Sequence, residues 1–190
     1  MSQQDDRRAA LLLMDLQRGI VENYSDPDFL PRIQRAIKAA RRVGLPLVWV
    51  RVCFRSGYPE ISPRNQSFSA IRQTGRFVEG SEQSAIHPAL GPEPEDVVVT
   101  KRRVGAFSGS DLDVVLRSAN IETLVLTGIA TSGVVLSTVR LAADLDYRLI
   151  VLKDGCTDSD PEIHRVLTEK VFPRQATVQT IDEWIASIAG

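Results

Sequence analysis

The stretch Ala9-Ala10-Leu11-Leu12-Leu13-Met14, followed directly by Asp15, decides the fold. Six apolar residues run without a polar break. That is the pattern of a strand buried on both faces, and such strands belong to parallel sheets covered by helices. Working outward, residues 31–43 read as a helix with Ile33, Ala36, Ile37 and Ala40 on one face, and Gly44 ends it. A second strand follows at 46–52, a third at 97–100, a fourth at 124–127 and a fifth at 148–152. Between the third and fourth, Leu112, Val115, Leu116 and Ala119 fall at helical spacing, with Ser110 as the candidate cap. Asp160-Pro161 opens another helix, whose inner face is expected to carry Ile163, Val166, Leu167 and Val171. A sixth strand at 176–180 and a last helix at 181–189 complete the chain.

The alternation predicts one α/β domain over residues 1–190, a three-layer αβα Rossmann-like fold with a mostly parallel six-stranded sheet. The interruption is residues 54–81, rich in Gly, Ser, Pro, Arg and Gln. It reads as a lid, a subunit-contact segment or a disordered surface loop.

With 190 residues, 43% hydrophobic and 25% charged, the composition is that of an ordinary globular protein. The formal net charge of −1 gives no global field towards nucleic acid or an anionic membrane. No stretch approaches the roughly 20 apolar residues of a membrane span, and the polar start does not read as a signal peptide. Cys53 and Cys156 are far apart, which fits free thiols in a cytoplasmic protein.

Ligands of parallel α/β sheets bind beyond the carboxyl ends of the strands. Strand one ends in Asp15, with Gln17 close behind; strand three ends in Lys101, Arg102 and Arg103. Either charge alone has an ordinary explanation, an aspartate capping a turn or a lysine reaching for solvent. Together they are more specific, because a buried Asp needs a cation and a buried Lys an anion, and such a pair can move protons. Arg102 and Arg103 either raise the local positive potential, favouring an anionic substrate, or are solvated. The strand-to-helix turn after strand four, at 128–138, presents backbone N–H groups at a helix start, where an oxyanion can be stabilised.

Four segments, MDLQ at 14–17, KRRVGAFSGSDLDVVLR at 101–117, TLVLTGIATSGVVLST at 123–138 and VLKDGCTDSD at 151–160, resemble in order and spacing the isochorismatase-like hydrolase superfamily. The resemblance covers nearly the whole chain. It implies a hydrolase of a small molecule, a homodimer or homotetramer, no cofactor, and catalytic roles for Asp15 and Lys101. It further implies substrate-binding or oxyanion positions at Gln17, Phe107, Ile129, Ala130 and Gly133, with a non-proline cis peptide at Ile129–Ala130. His87 matches a common family position.

One position departs from the pattern. Amide-hydrolysing members read approximately G-V-x-T-x-x-C-V through this turn, with the cysteine as nucleophile. Here the turn reads Gly128-Ile129-Ala130-Thr131-Ser132-Gly133-Val134-Val135, and Val134 has no nucleophile to offer. Cys156 lies at the same sheet edge as a possible substitute. Cys53 reads as a packed thiol, Thr131 and Ser132 as capping groups, and His164 as a solvated or satisfied side chain. The metal-binding Asp and His residues of the nicotinamidases are missing, since the region reads Arg51-Val52-Cys53-Phe54-Arg55; no catalytic metal is expected. Isochorismatases also lack the cysteine. Their vinyl ether hydrolysis needs an acid and water, although Val134 is bulkier than the small residue they carry. Three readings follow: a cysteine-free hydrolase using Asp15 and Lys101, a non-catalytic binding or regulatory member, and an amide hydrolase with another nucleophile.

Overall fold

A computed structural model describes residues 8–189. Six strands form one sheet in the order β3-β2-β1-β4-β5-β6, with every neighbouring pair parallel. The strands are β1 (Ala9–Met14), β2 (Leu47–Val52), β3 (Val97–Lys101), β4 (Thr123–Ile129), β5 (Arg148–Thr157) and β6 (Thr177–Gln179). The order reverses direction between β1 and β4, which is where a doubly wound sheet opens a crevice at its carboxyl edge.

The two-residue period of β1 divides the core. Ala10, Leu12 and Met14 join one apolar cluster, while Ala9, Leu11 and Leu13 join the other. The first cluster is closed by α4 (Leu112–Ser118) and α5 (Leu136–Asp144), through Leu112, Leu116, Val139 and Ala142. The second is closed by α2 (Phe29–Arg42) and α7 (Ile181–Ile188), through Phe29, Ile33, Ala36, Ile37 and Trp184. Helix α2 ends as its sequence predicts, with Gly44 at φ 72°. Two shorter helices are α1 (Arg18–Val21) and α6 (Pro161–Val166), the latter capped by Asp160, whose carboxylate accepts the Glu162 N–H at 2.8 Å.

Four local expectations change. Residues 54–81 are not irregular: they contain α3 (Gln66–Thr74) and a small core of Phe54, Tyr58, Ile61, Phe68 and Phe77. Strand β5 does not stop at Leu152. A bulge at Lys153-Asp154-Gly155 absorbs the polar residues, and pairing resumes with Cys156 opposite Gly128. Ile163 is 42% exposed rather than inward, because α6 runs straight into a π-helical turn, Leu167–Val171, that shifts the phase of the apolar face. Ser110 lies one residue before the helix N-cap position, held by Asp111, yet its Oγ still accepts the Leu112 N–H at 3.3 Å.

Candidate active site

Asp15 and Lys101 start two strands apart, since β2 lies between β1 and β3. At about 4.8 Å per strand, the lysine stem must cross the end of β2 to reach the aspartate. It does: Lys101 Nζ lies 2.9 Å from Asp15 Oδ2, with the residues 2% and 6% exposed. The ammonium makes a second bond, donating to the Arg103 carbonyl at 2.9 Å. Asp15 has left the sheet with φ 58°, a left-handed conformation that aspartate tolerates better than most side chains. Its N–H donates to the Val50 carbonyl, so the backbone is tied to the strand that Lys101 crosses.

The other carboxylate oxygen, Oδ1, is buried and has no hydrogen-bond partner. Burial pushes the Asp15 carboxyl above the ordinary carboxylate range, and the attraction of Lys101 offsets that only in part. The pair therefore holds a buried carboxyl with one oxygen clamped and the other without a partner. Most buried polar atoms are satisfied, which makes an orphan at this edge chemically telling.

The turn after β4 forms the facing wall. It leaves the sheet level with Asp15, because Gly128 pairs with Met14. Gly128 is obligatory here: it has φ 153°, and a Cβ would sit 2.5 Å from the Met14 carbonyl oxygen. The Ile129–Ala130 peptide is cis, as the resemblance implied. A π-helical turn, Thr131–Val135, then leads into α5, and Gly133 N–H and Val135 N–H both donate to the Ala130 carbonyl. Val134 is 1% exposed and shares an apolar cluster with Met14, Phe107 and Cys156.

Other expected groups have different partners. Gln17 is fully buried; its amide nitrogen donates to the carbonyls of Val52 and Ser84, and its oxygen accepts the Val52 N–H. Its amide thus ties the end of β2 to Ser84. Arg102 is neither solvated nor a spare cation. Its guanidinium bonds the Cys53 carbonyl and pairs with Glu79 and Glu60, fastening residues 54–81 to the end of β3. Arg103 has no carboxylate within ion-pair distance among the described residues. Asp154, at the β5 bulge, accepts the Ile181 N–H at 2.7 Å and serves the start of α7. His87 caps a short turn and donates its N–H to the Leu16 carbonyl.

Cys156 is 3% exposed, and burial pushes its thiol up to about 12. A thiol in that state supplies almost no thiolate near neutrality. Burial also raises the Cys53 thiol. Among the described residues, no three His, Cys, Asp or Glu side chains come together as a metal site.

Sequence reading missed one pairing. Thr131 Oγ1 and His164 Nδ1 are 2.8 Å apart, and the neighbouring Ser132 N–H donates to Asp158 Oδ2 at 2.7 Å. The signal available was positional: His164 lies in the helix after strand five, whose start opens on the same sheet edge as the turn.

Known proteins match this chain over most of its length. The family model described as Isochorismatase domain matches residues 9–183. An uncharacterised isochorismatase family protein of Bacillus subtilis (strain 168) is 32% identical over 184 residues, covering 97% of this chain and 96% of its own. The ureidoacrylate amidohydrolase RutB of Methylobacterium radiotolerans is 34% identical over 84% of this chain, which spans 64% of that protein. Among solved structures, an isochorismatase family protein from Burkholderia thailandensis superposes with TM-score 0.85 at 32% identity, covering 97% of both chains. N-carbamoylsarcosine amidase from Thermoplasma acidophilum superposes with TM-score 0.75 at 28% identity, covering 92% of this chain and 97% of its own.

Proposed function

The chain belongs to the isochorismatase family, and on that premise we propose that it is a hydrolase of a small substrate in which Asp15 and Lys101 carry the chemistry without a cysteine nucleophile. The observation behind this is the Asp15 carboxyl itself, with Oδ2 held by Lys101 and Oδ1 buried and unpartnered. Burial shifts the Asp15 carboxyl towards its protonated form, and a proton donor is the group that vinyl ether hydrolysis requires.

In that reaction Asp15 gives its proton to the enol carbon, and the ether carbon becomes an oxocarbenium ion. Water adds there and returns a proton to the Asp15 carboxylate. The hemiketal then collapses to a carbonyl compound and an alcohol, so that one water is consumed overall. Lys101 stabilises the carboxylate that exists between the two transfers. In this reading Ile129, Ala130, Gly133 and Phe107 bound the substrate, while Gln17 holds the end of β2 in place. Arg103, whose carbonyl accepts from Lys101 and which has no carboxylate partner among the described residues, favours an anionic substrate in this reading. The assembly proposed with it is a homodimer or homotetramer, checked by sedimentation velocity.

Two named relatives act on amides or ureido compounds, so amide hydrolysis is the natural competitor. Val134 and the high thiol pKa of Cys156 both oppose it. The non-catalytic reading draws on the apolar packing of Val134. Thiol alkylation separates these mechanisms. Folded protein treated with a thiol reagent is expected to retain its turnover of vinyl ethers. Substrate-protected loss of that turnover on modification of Cys156 would overturn the cysteine-free mechanism.

A further inference from the structure

The turn that faces Asp15 is held from outside by a clasp that the chemistry above leaves unused. The loop between β5 and α6, with the first turn of α6, reaches it twice: Asp158 Oδ2 takes the Ser132 N–H at 2.7 Å, and His164 Nδ1 meets Thr131 Oγ1 at 2.8 Å. Thr131 is fully buried, and His164 is the partner of its hydroxyl. Stripping a buried hydroxyl of its partner is unfavourable, so the bond locates the turn as well as decorating it. The clasp is itself anchored, because Asp160 caps α6 and Thr168 Oγ1 donates to the His164 carbonyl at 2.8 Å.

We propose that His164 is a positioning residue, which through Thr131 holds the turn bearing Gly133 and Val134 in place opposite the Asp15–Lys101 pair. The inference rests on the reading of that pair as the site, but not on any turnover there. Val134 is three positions after Thr131, so a displacement of the hydroxyl is carried within one turn to the wall of the site.

The electrostatics agree with the geometry. Partial burial of the imidazole lowers its proton affinity, opposed by the nearby carboxylate of Asp158. Asp158 also acts on Tyr24, a half-buried phenol that burial pushes up. The turn packed against α6 contributes no titratable side chain, and on α6 itself Glu162 and Arg165 pair with one another. The ring is therefore neutral at neutral pH, and gaining a proton changes what it offers Thr131.

The test is an NMR pH titration of the ring, with the amides of Gly133 and Val134 followed in parallel; H164Q assigns the ring, since His87 is the other histidine. Both amides are expected to shift with the His164 midpoint, below the ordinary value of 6.5. T131S is expected to retain the coupling, and T131V and H164Q to abolish it. In vinyl ether turnover, T131V is expected to lower kcat by up to about a hundredfold with KM little changed. Amides that ignore the His164 titration, or a T131V titration identical to wild type, would overturn the proposal. Should T131V fail to fold, H164Q alone decides, because the amide shifts must then vanish. A protein without turnover still gives the shifts, so failure of the hydrolase reading is told apart from failure of this one.

Discussion

Lys101 reaches across the end of a whole strand to place its ammonium 2.9 Å from Asp15. Both side chains are buried against each other, and removing one partner of such a buried pair typically costs about 3–5 kcal/mol. Lys101→Met is expected to lower stability by that order, read as a fall in the urea midpoint with an unchanged slope. Lys101→Arg is expected to recover little, because a planar guanidinium does not fit a site built for a compact ammonium. A variant as stable as wild type would mean that the pair is solvated.

Asp15 makes stability depend on pH with an unusual sign. Its folded pKa is raised above the ordinary value of 3.8, so the folded state holds the proton more tightly than the unfolded one. Its contribution is present below that value and is lost as the pH rises through the folded pKa. Asp15→Asn is expected to flatten this decline in thermal melts between acid and neutral pH. An unchanged profile would contradict the direction of the shift.

His164 acts in the opposite sense. Its folded pKa lies below 6.5, so its contribution is present above that value and is lost as the pH falls through the folded pKa. H164Q is expected to remove one component of acid destabilisation, seen as a shallower loss of Tm below pH 6.5 than in wild type.

Gly128 tests how tightly β4 and β1 are joined beneath the site. A methyl group there meets the Met14 carbonyl oxygen at 2.5 Å from a backbone φ of 153°. Gly128→Ala is expected to cost more than about 4 kcal/mol, as substitutions that combine a clash with a forbidden conformation do. A melting temperature within a few degrees of wild type would contradict the packing described.

Val134 to Cys is the informative gain-of-function change. It restores a thiol at the family's nucleophile position and removes little volume from the apolar cluster around Met14 and Phe107. Ammonia release from small amides is expected to appear in V134C and not in wild type. A folded V134C without amide hydrolysis would mean that the turn no longer supports an oxyanion.

The fold was largely legible because its signals are local. The unbroken run from Ala9 to Met14 gives the buried strand with its exact bounds, and Gly44 and Asp160-Pro161 punctuate helices by backbone preference alone. The meeting of Asp15 and Lys101 was legible because both residues close strands at the same edge of the sheet. What escaped depends on partners distant in sequence. The carboxylates that neutralise Arg102 lie in residues 54–81, where aromatic packing rather than periodicity builds the structure. Thr131 and His164 meet only once β4 and β5 are side by side. Ile163 fits a helical stripe on paper, but the π-helical turn after α6 breaks the phase that the stripe assumes.

The central claim is that Asp15, and no protein nucleophile, drives hydrolysis. It is tested most directly by initial rates of wild type and Asp15→Asn on a panel of small vinyl ethers, amides and ureas at saturating substrate. Wild type is expected to hydrolyse vinyl ethers, with Asp15→Asn reduced by about 10²–10⁴-fold, the range of a positioned general acid. Wild-type rates no higher than those of Asp15→Asn across the whole panel would contradict the account.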